Sequence, residues 1–177
     1  MQNLPSQELL GPLLEASPYA VILVERSGRI VMANSLTERQ FGYGTGELIG
    51  NPVETLLPQR CGRTHPEQCA GYFVDPHVRP MGTGMDLFSR RKDGSEFPVD
   101  VSLSPLKLGE HLLTVCVVRD ITEQKRIESE LEENRRKLAT ILDHLPGIAF
   151  RCTVAGEKRI VEYVSKGCLA LTGYTSE

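Results

Sequence analysis

The chain has 177 residues, 40% apolar and 24% charged, with no low-complexity tract, which excludes disorder and fibrous repeats and leaves one domain, or one domain and part of another. A net charge of −3 offers no electrostatic footprint for nucleic acid, so no DNA or RNA partner is expected. No apolar run approaches the ~20 residues that cross a bilayer. MQNLPSQELL also lacks the basic and apolar regions of a signal peptide, so no membrane contact is expected of this segment, and it is read as cytoplasmic, with an anchor elsewhere in a longer protein left open. Five cysteines, an odd number without a CxxC pair, fit free thiols in a reducing compartment.

Residues 1–8 read as a tail, although a helical lead is expected from Glu8 to Ala16. Ala20 to Arg26 is an apolar run of strand length, broken by Ser27-Gly28 and followed by Arg29 to Ala33, which predicts an antiparallel hairpin. Asn34 is a good cap for a short helix over SLTERQF, ended by Gly42 and Gly44. Thr45 and Pro52 predict two further short helices, and the capping-box spacing of Thr64 to Glu67 a fourth, from about His65 to Phe73. The apolar period then changes from helical to alternating. GTGMDLFSRR, SEFPVDVSLSPLKL and EHLLTVCVVRD predict three strands joined by turns at Asp93-Gly94 and Leu108-Gly109, with Pro98 marking a bulge or an edge. Arg90, Arg91 and Lys92 beside the first turn read as its solvated end. Two strands, short helices and three strands make an α+β arrangement, an antiparallel sheet with helices on one face.

SGRIVMAN (27–34), FGYGTGELIG (41–50), RRKDGSEFPVDVSLSPL (90–106) and VRDITEQKR (118–126), in this order, resemble the PAS sensor domain. The resemblance implies a five-stranded antiparallel sheet, a cleft between sheet and helices, and a domain over residues 9–120. It is partly repeated. LLEASPYAVILV and ILDHLPGIAFRC align on Pro18 and Pro146, RIVMAN matches RIVEYVS with one extra residue, and FGYGTGE matches LTGYTSE. Residues 142–177 are therefore expected to be the truncated start of a second PAS domain, which implies a fragment of a longer signalling protein; half a sheet cannot bury its own apolar face.

Between the copies, 121–141 reads as a linker helix, the run from Ile121 to Leu145 having no glycine or proline. Ile127, Leu131, Asn134, Leu138, Ile141 and Leu145 alternate four and three apart, a heptad seam with one polar member. A parallel homodimer through this coiled coil is expected, a helix packed on its own domain being the alternative. By resemblance, Asp120 and Thr122 couple the last strand to this helix; their residue types also suit capping it.

The implied cleft would be lined by Ile22, Val31, Leu56, Phe73, Leu87, Val101 and Val115, holding an unidentified small molecule or being a filled core. No cofactor is assigned. His65 matches the proximal histidine of the haem-binding branch, with Met85 where one oxygen-binding group has an arginine; a capping or core histidine is the competing reading. Cys61, His65 and Cys69 lack a fourth ligand, so no metal is expected, and His77 reads as a loop residue. Flavin is disfavoured because NPVETLLPQR lacks the Asn-Cys-Arg run of the light-sensing branch and the chain has no tryptophan. Without GxSxG, a P-loop or HExxH the segment is not expected to be an enzyme. The reading is a regulatory module feeding a histidine kinase, in a two-component phosphorelay, or a cyclic-dinucleotide enzyme. A haem-based gas or redox sensor and a structural dimerisation spacer are the alternatives.

Overall fold

The computed structural model describes residues 5–62, 65–81, 86–144, 147–155, 158–165 and 167–173. They form two compact units, 1–123 and 124–177. In the first, helix α1 (Pro5–Glu15) precedes strands β1 (Ala20–Glu25) and β2 (Ile30–Ala33), then helix α2 (Ser35–Phe41), a 3-10 turn (Val53–Leu56) and helix α3 (His65–Tyr72). Strands β3 (Arg79–Met81), β4 (Leu87–Arg90), β5 (Glu96–Leu108) and β6 (His111–Asp120) complete the sheet. Its order is β2-β1-β6-β5-β3, all pairs antiparallel, and β4 also pairs with β5. Six strands thus fill five positions, β3 and β4 sharing one edge.

Local chemistry explains most of these boundaries. Asn34 caps α2 by accepting the Thr37 N–H at 3.0 Å, and Gly42, at φ +76°, ends it in the left-handed conformation that a side chain resists. Helix α1 starts at Pro5 rather than Glu8, since proline suits a first helical turn. No helix forms at Thr45: residues 45–50 are turns, with Gly46 and Gly50 at φ +74° and +81°. Pro98 lies within β5, beyond the end of its pairing with β6, and its carbonyl accepts the Ile121 N–H at 3.1 Å.

The core lies on the face of the sheet toward the helices. Ile22 and Val24 of β1, Ile30 of β2, Phe41, Leu48, Leu56, Phe97, Val99, Cys116 and Val118 form one buried cluster. Phe41 and Phe97 meet edge to face at 5.3 Å. Burying such side chains contributes about 1.5–3 kcal/mol each, which is what holds helices to sheet.

The second unit contains helix α4 (Thr122–His144), apart from its first residues, then strands β7 (Phe150–Ala155) and β8 (Lys158–Val164) and helix α5 (Gly167–Thr172). Strands β7 and β8 pair with each other alone among the described residues. Phe150, Val154, Ile160 and Val161 remain 55–66% exposed.

Candidate functional site

One carboxylate bridges the turn from β6 into α4. Strand β6 ends at Asp120 and α4 begins at Thr122. Asp120 Oδ1 accepts the Thr122 N–H at 2.9 Å and its hydroxyl at 2.6 Å. The aspartate therefore supplies an acceptor that the helix terminus lacks, worth about 1 kcal/mol, while Thr122 acts as its donor. Asp120 Oδ2 accepts from Arg91 at 3.0 Å, each side chain 29% exposed.

Arg91 holds three segments. Besides Asp120 it donates to the Gln40 carbonyl at the end of α2, at 2.7 Å, and its guanidinium lies 3.8 Å from the centre of the Phe97 ring on β5. The planar cation suits all three contacts at once, one edge for oxygen acceptors and one face for the ring. The solvated reading of Arg90, Arg91 and Lys92 is corrected for the two arginines, which are half-buried, and holds for Lys92, whose side chain is 51% exposed. The Asp93-Gly94 turn docks on α2, with the Lys92 N–H on the Phe41 carbonyl at 2.9 Å and Lys92 Nζ 2.5 Å from Glu47. The clue in the sequence is the cation six residues before Phe97.

The seven positions expected to line a cleft do not share one surface. Ile22 and Leu56 lie in the core cluster at 1% and 2% exposure, and Leu87 and Val101 pack against it. Phe73 is buried beside Tyr72, their rings edge to face at 6.2 Å. Val31 does not face the core. Met32 pairs with Leu23 and Ile30 with Val24, so Val31 is the extra residue of a β-bulge and is 37% exposed. Val115 also faces away: β5 pairs Val101 with Val118 and Leu103 with Cys116, so Thr114, Cys116 and Val118 share the core face. A two-residue turn pairs odd-numbered with even-numbered residues, and that parity assigns the face.

His65 opens α3, and its Nδ1 lies 2.9 Å from Glu54 Oε1, the side chains being 22% and 19% exposed. Glu54, in the 3-10 turn, is a partner that the sequence did not suggest. Burial and the Glu54 charge push the Cys69 thiol up. The Cys116 thiol is pushed up to about 12, chiefly by burial and then by Cys69. Cys61 precedes α3, His77 is exposed in the following loop, and Met85 lies outside the described residues. Two concavities stand out on the surface, about 340 Å³ beside Phe41, Arg91 and Lys92, and about 280 Å³ beside Arg26, Glu54 and Cys69. None of the seven expected lining residues borders either.

On α4, Ile127, Leu131, Leu138 and Ile141 are 54–60% exposed, Asn134 is exposed among them, and Leu145 lies outside the described residues. No described helix is long and apolar enough to cross a membrane.

Residues 18–123 match the PAS domain family, and the chain belongs to it. It is 29% identical over 134 residues to the sensor protein FixL of Bradyrhizobium diazoefficiens, covering 75% of this chain and 26% of that protein. The oxygen sensor protein DosP of Escherichia coli is 27% identical over 134 residues, covering 76% and 16%. The cell-division control histidine kinase PdhS of Brucella ovis is 27% identical over 131 residues, covering 73% and 12%. The chain thus spans about a quarter or less of these relatives. Among solved structures, the PAS domain of an HTR-like protein from Haloarcula marismortui superposes with a TM-score of 0.55 at 24% identity, covering 66% of this chain and 92% of that one. The fold is therefore a PAS fold, and the module is of a sensory, signal-transducing class.

Proposed function

We propose that residues 18–123 form a non-catalytic sensory module whose sheet is coupled through Asp120 and Thr122 to α4, and through a dimer of α4 to the output domain of a longer signalling protein. The carrying observation is that one carboxylate both caps α4 and binds Arg91, so displacement of α2 or β5 reaches the first turn of the helix. The likeness to FixL and PdhS favours a histidine kinase as output, with a cyclic-dinucleotide enzyme second. To select between two signalling states, a small ligand or partner must bind them with a difference of ~1–3 kcal/mol. The stretch 142–177 is read as the start of a second such domain. Its hairpin carries the same bulge as the first, Arg151 pairing with Tyr163 and Cys152 with Val161.

The test is Asp120→Ala in the parent protein. Amide exchange in the first turn of α4 should rise about five-fold, and output should cease to follow the stimulus while exchange in the sheet stays unchanged. Unaltered output would overturn the coupling role and leave a structural spacer. Native mass spectrometry of the purified chain would reveal a retained small molecule and dimers.

The likeness to DosP, named an oxygen sensor, favours haem as a second reading, with His65 as the ligand. Glu54 engages Nδ1 and leaves Nε2 as the donor, so the histidine fits. Among the described residues Ile22 and Leu56 are packed at 1% and 2% exposure, and the second concavity is lined beside His65 by Glu54, Pro66 and Cys69 without His65 itself. A Soret band after haem reconstitution, lost in His65→Ala, would support this reading, and colourless protein would overturn it.

A further inference from the structure

The smaller concavity opens between two parts of the fold. One wall is a continuous piece of backbone. The Gly28 carbonyl of the β1–β2 turn accepts the Val53 N–H at 2.9 Å and the Asn51 carbonyl accepts the Ile30 N–H at 2.9 Å, so the turn and the 3-10 segment hold one another. The other wall is α3, through Pro66, Cys69 and Ala70. With Phe73, bonded back to the Cys69 carbonyl at 3.3 Å, these residues lie three and four apart on one helix face, and burial of Phe73 shows that the face turns toward the domain. The space is about 280 Å³, room for roughly nine non-hydrogen atoms at the ~30 Å³ that a water occupies.

Two of its lining groups are charged, and they have opposite signs. The Arg26 guanidinium, in the hairpin turn, is exposed and takes no partner among the described residues. Glu54, in the 3-10 turn, is 19% exposed; it gives Oε1 to His65 Nδ1 at 2.9 Å and keeps Oε2 without a partner among the described residues. Ser27 spends its hydroxyl on Glu25, and the Cys69 thiol, pushed up by burial and then by the Glu54 charge, is neutral near pH 7. A simple anion placed here meets Glu54, and a simple cation meets Arg26. An apolar molecule takes water from both charges and returns nothing. A molecule carrying both an ammonium and a carboxylate answers both, and Pro66 and Ala70 offer apolar contact to the rest of it.

We propose that the concavity between the β1–β2 turn and α3 binds a small zwitterion of the α-amino acid class, its carboxylate on Arg26, its ammonium on Glu54 Oε2 and an aliphatic side chain against Pro66 and Ala70. This supplies a ligand site for the sensory reading above and rests on that reading for what binding does to output. A bound zwitterion touches both walls, so it holds α3 to the hairpin turn as the Glu54–His65 contact already does at one point.

The test is calorimetric titration of the full chain with L-leucine and with its two halves, isocaproate, which lacks the ammonium, and isoamylamine, which lacks the carboxylate. Leucine should bind about ten-fold more tightly than either half, the factor that one hydrogen bond to a charged group supplies. Arg26→Gln should weaken leucine about ten-fold and leave isoamylamine unchanged; Glu54→Gln should weaken leucine similarly and leave isocaproate no weaker. Glu54→Gln also alters the His65 contact, so the exposed Arg26 site is the one that separates a lost ligand contact from a disturbed fold. Alkylation of Cys69, followed by peptide mass, should slow about five-fold in saturating leucine. Halves that bind as well as leucine, variants that bind it unchanged, or no binding of leucine, valine or methionine at millimolar concentration would each overturn the proposal. Lost binding with Asp120→Ala still uncoupling output spares the sensory reading. Leucine that binds as described while the output of the parent protein ignores it spares the site and overturns its sensory use.

Discussion

The hairpins β1–β2 and β7–β8 are nearly the same object in two surroundings. Each has a bulge with one extra residue on its second strand, Val31 in one and Glu162 in the other. In each, the residue after the second strand clips back to the start of the hairpin, onto β1 in one and onto the residue before β7 in the other. Asn34 accepts from the Val21 N–H and donates its own N–H to the Val21 carbonyl, at 3.0 and 3.1 Å. Ser165 does the same with Ala149, at 3.0 and 2.8 Å. A helix follows, and Gly42 and Gly173 stand at φ +76° and +77° beyond its end. The difference is burial: Ile22 and Ile30 are 1% and 0% exposed, whereas Phe150 and Val161 are 66% and 58% exposed. Strand β1 has β6 on its other edge and β7 has no such neighbour among the described residues. Hairpin, bulge and clip are therefore local products, and burial is a non-local one.

The largest contrast should come from truncating the residue before each glycine's turn. Phe41→Ala removes a fully buried ring and should destabilise the first unit by about 3–5 kcal/mol, whereas Thr172→Ala, at an exposed site, should stay within about 0.5 kcal/mol in the same denaturant titration. Equal losses would mean that the second unit is packed by something unseen.

Next come the clips. Asn34→Ala removes the acceptor for Val21 and Thr37 and the donor to Leu14 and Tyr19, so a loss of about 2–3 kcal/mol is expected. Ser165→Ala removes one such bond and should cost about 1 kcal/mol, read by exchange of the Ala149 amide.

Thiol labelling sharpens the same comparison without mutation. Cys116, buried and with its thiol pushed up to about 12 by that burial, should label at pH 8.5 far more slowly than half-buried Cys152. Parity at pH 8.5 would mean that the first core opens readily. The smallest effect belongs to the bulges. Val31→Glu copies what the second hairpin already carries and should shift stability by less than about 0.5 kcal/mol.

The linear chain determined much of this protein. Asn34, Gly42 and the turn at Gly94 place elements through short-range hydrogen bonds and backbone freedom, and the hairpin β7–β8 copies the bulge of β1–β2. Even the orientation of Val115 was within reach, since the parity of a tight turn decides it.

Tertiary structure alone decided the rest. That Arg91 reaches Gln40, Phe97 and Asp120, and that Glu54 meets His65, depends on where separate segments are brought by packing the core. Such contacts join residues far apart along the backbone, and no local propensity encodes a distance between them.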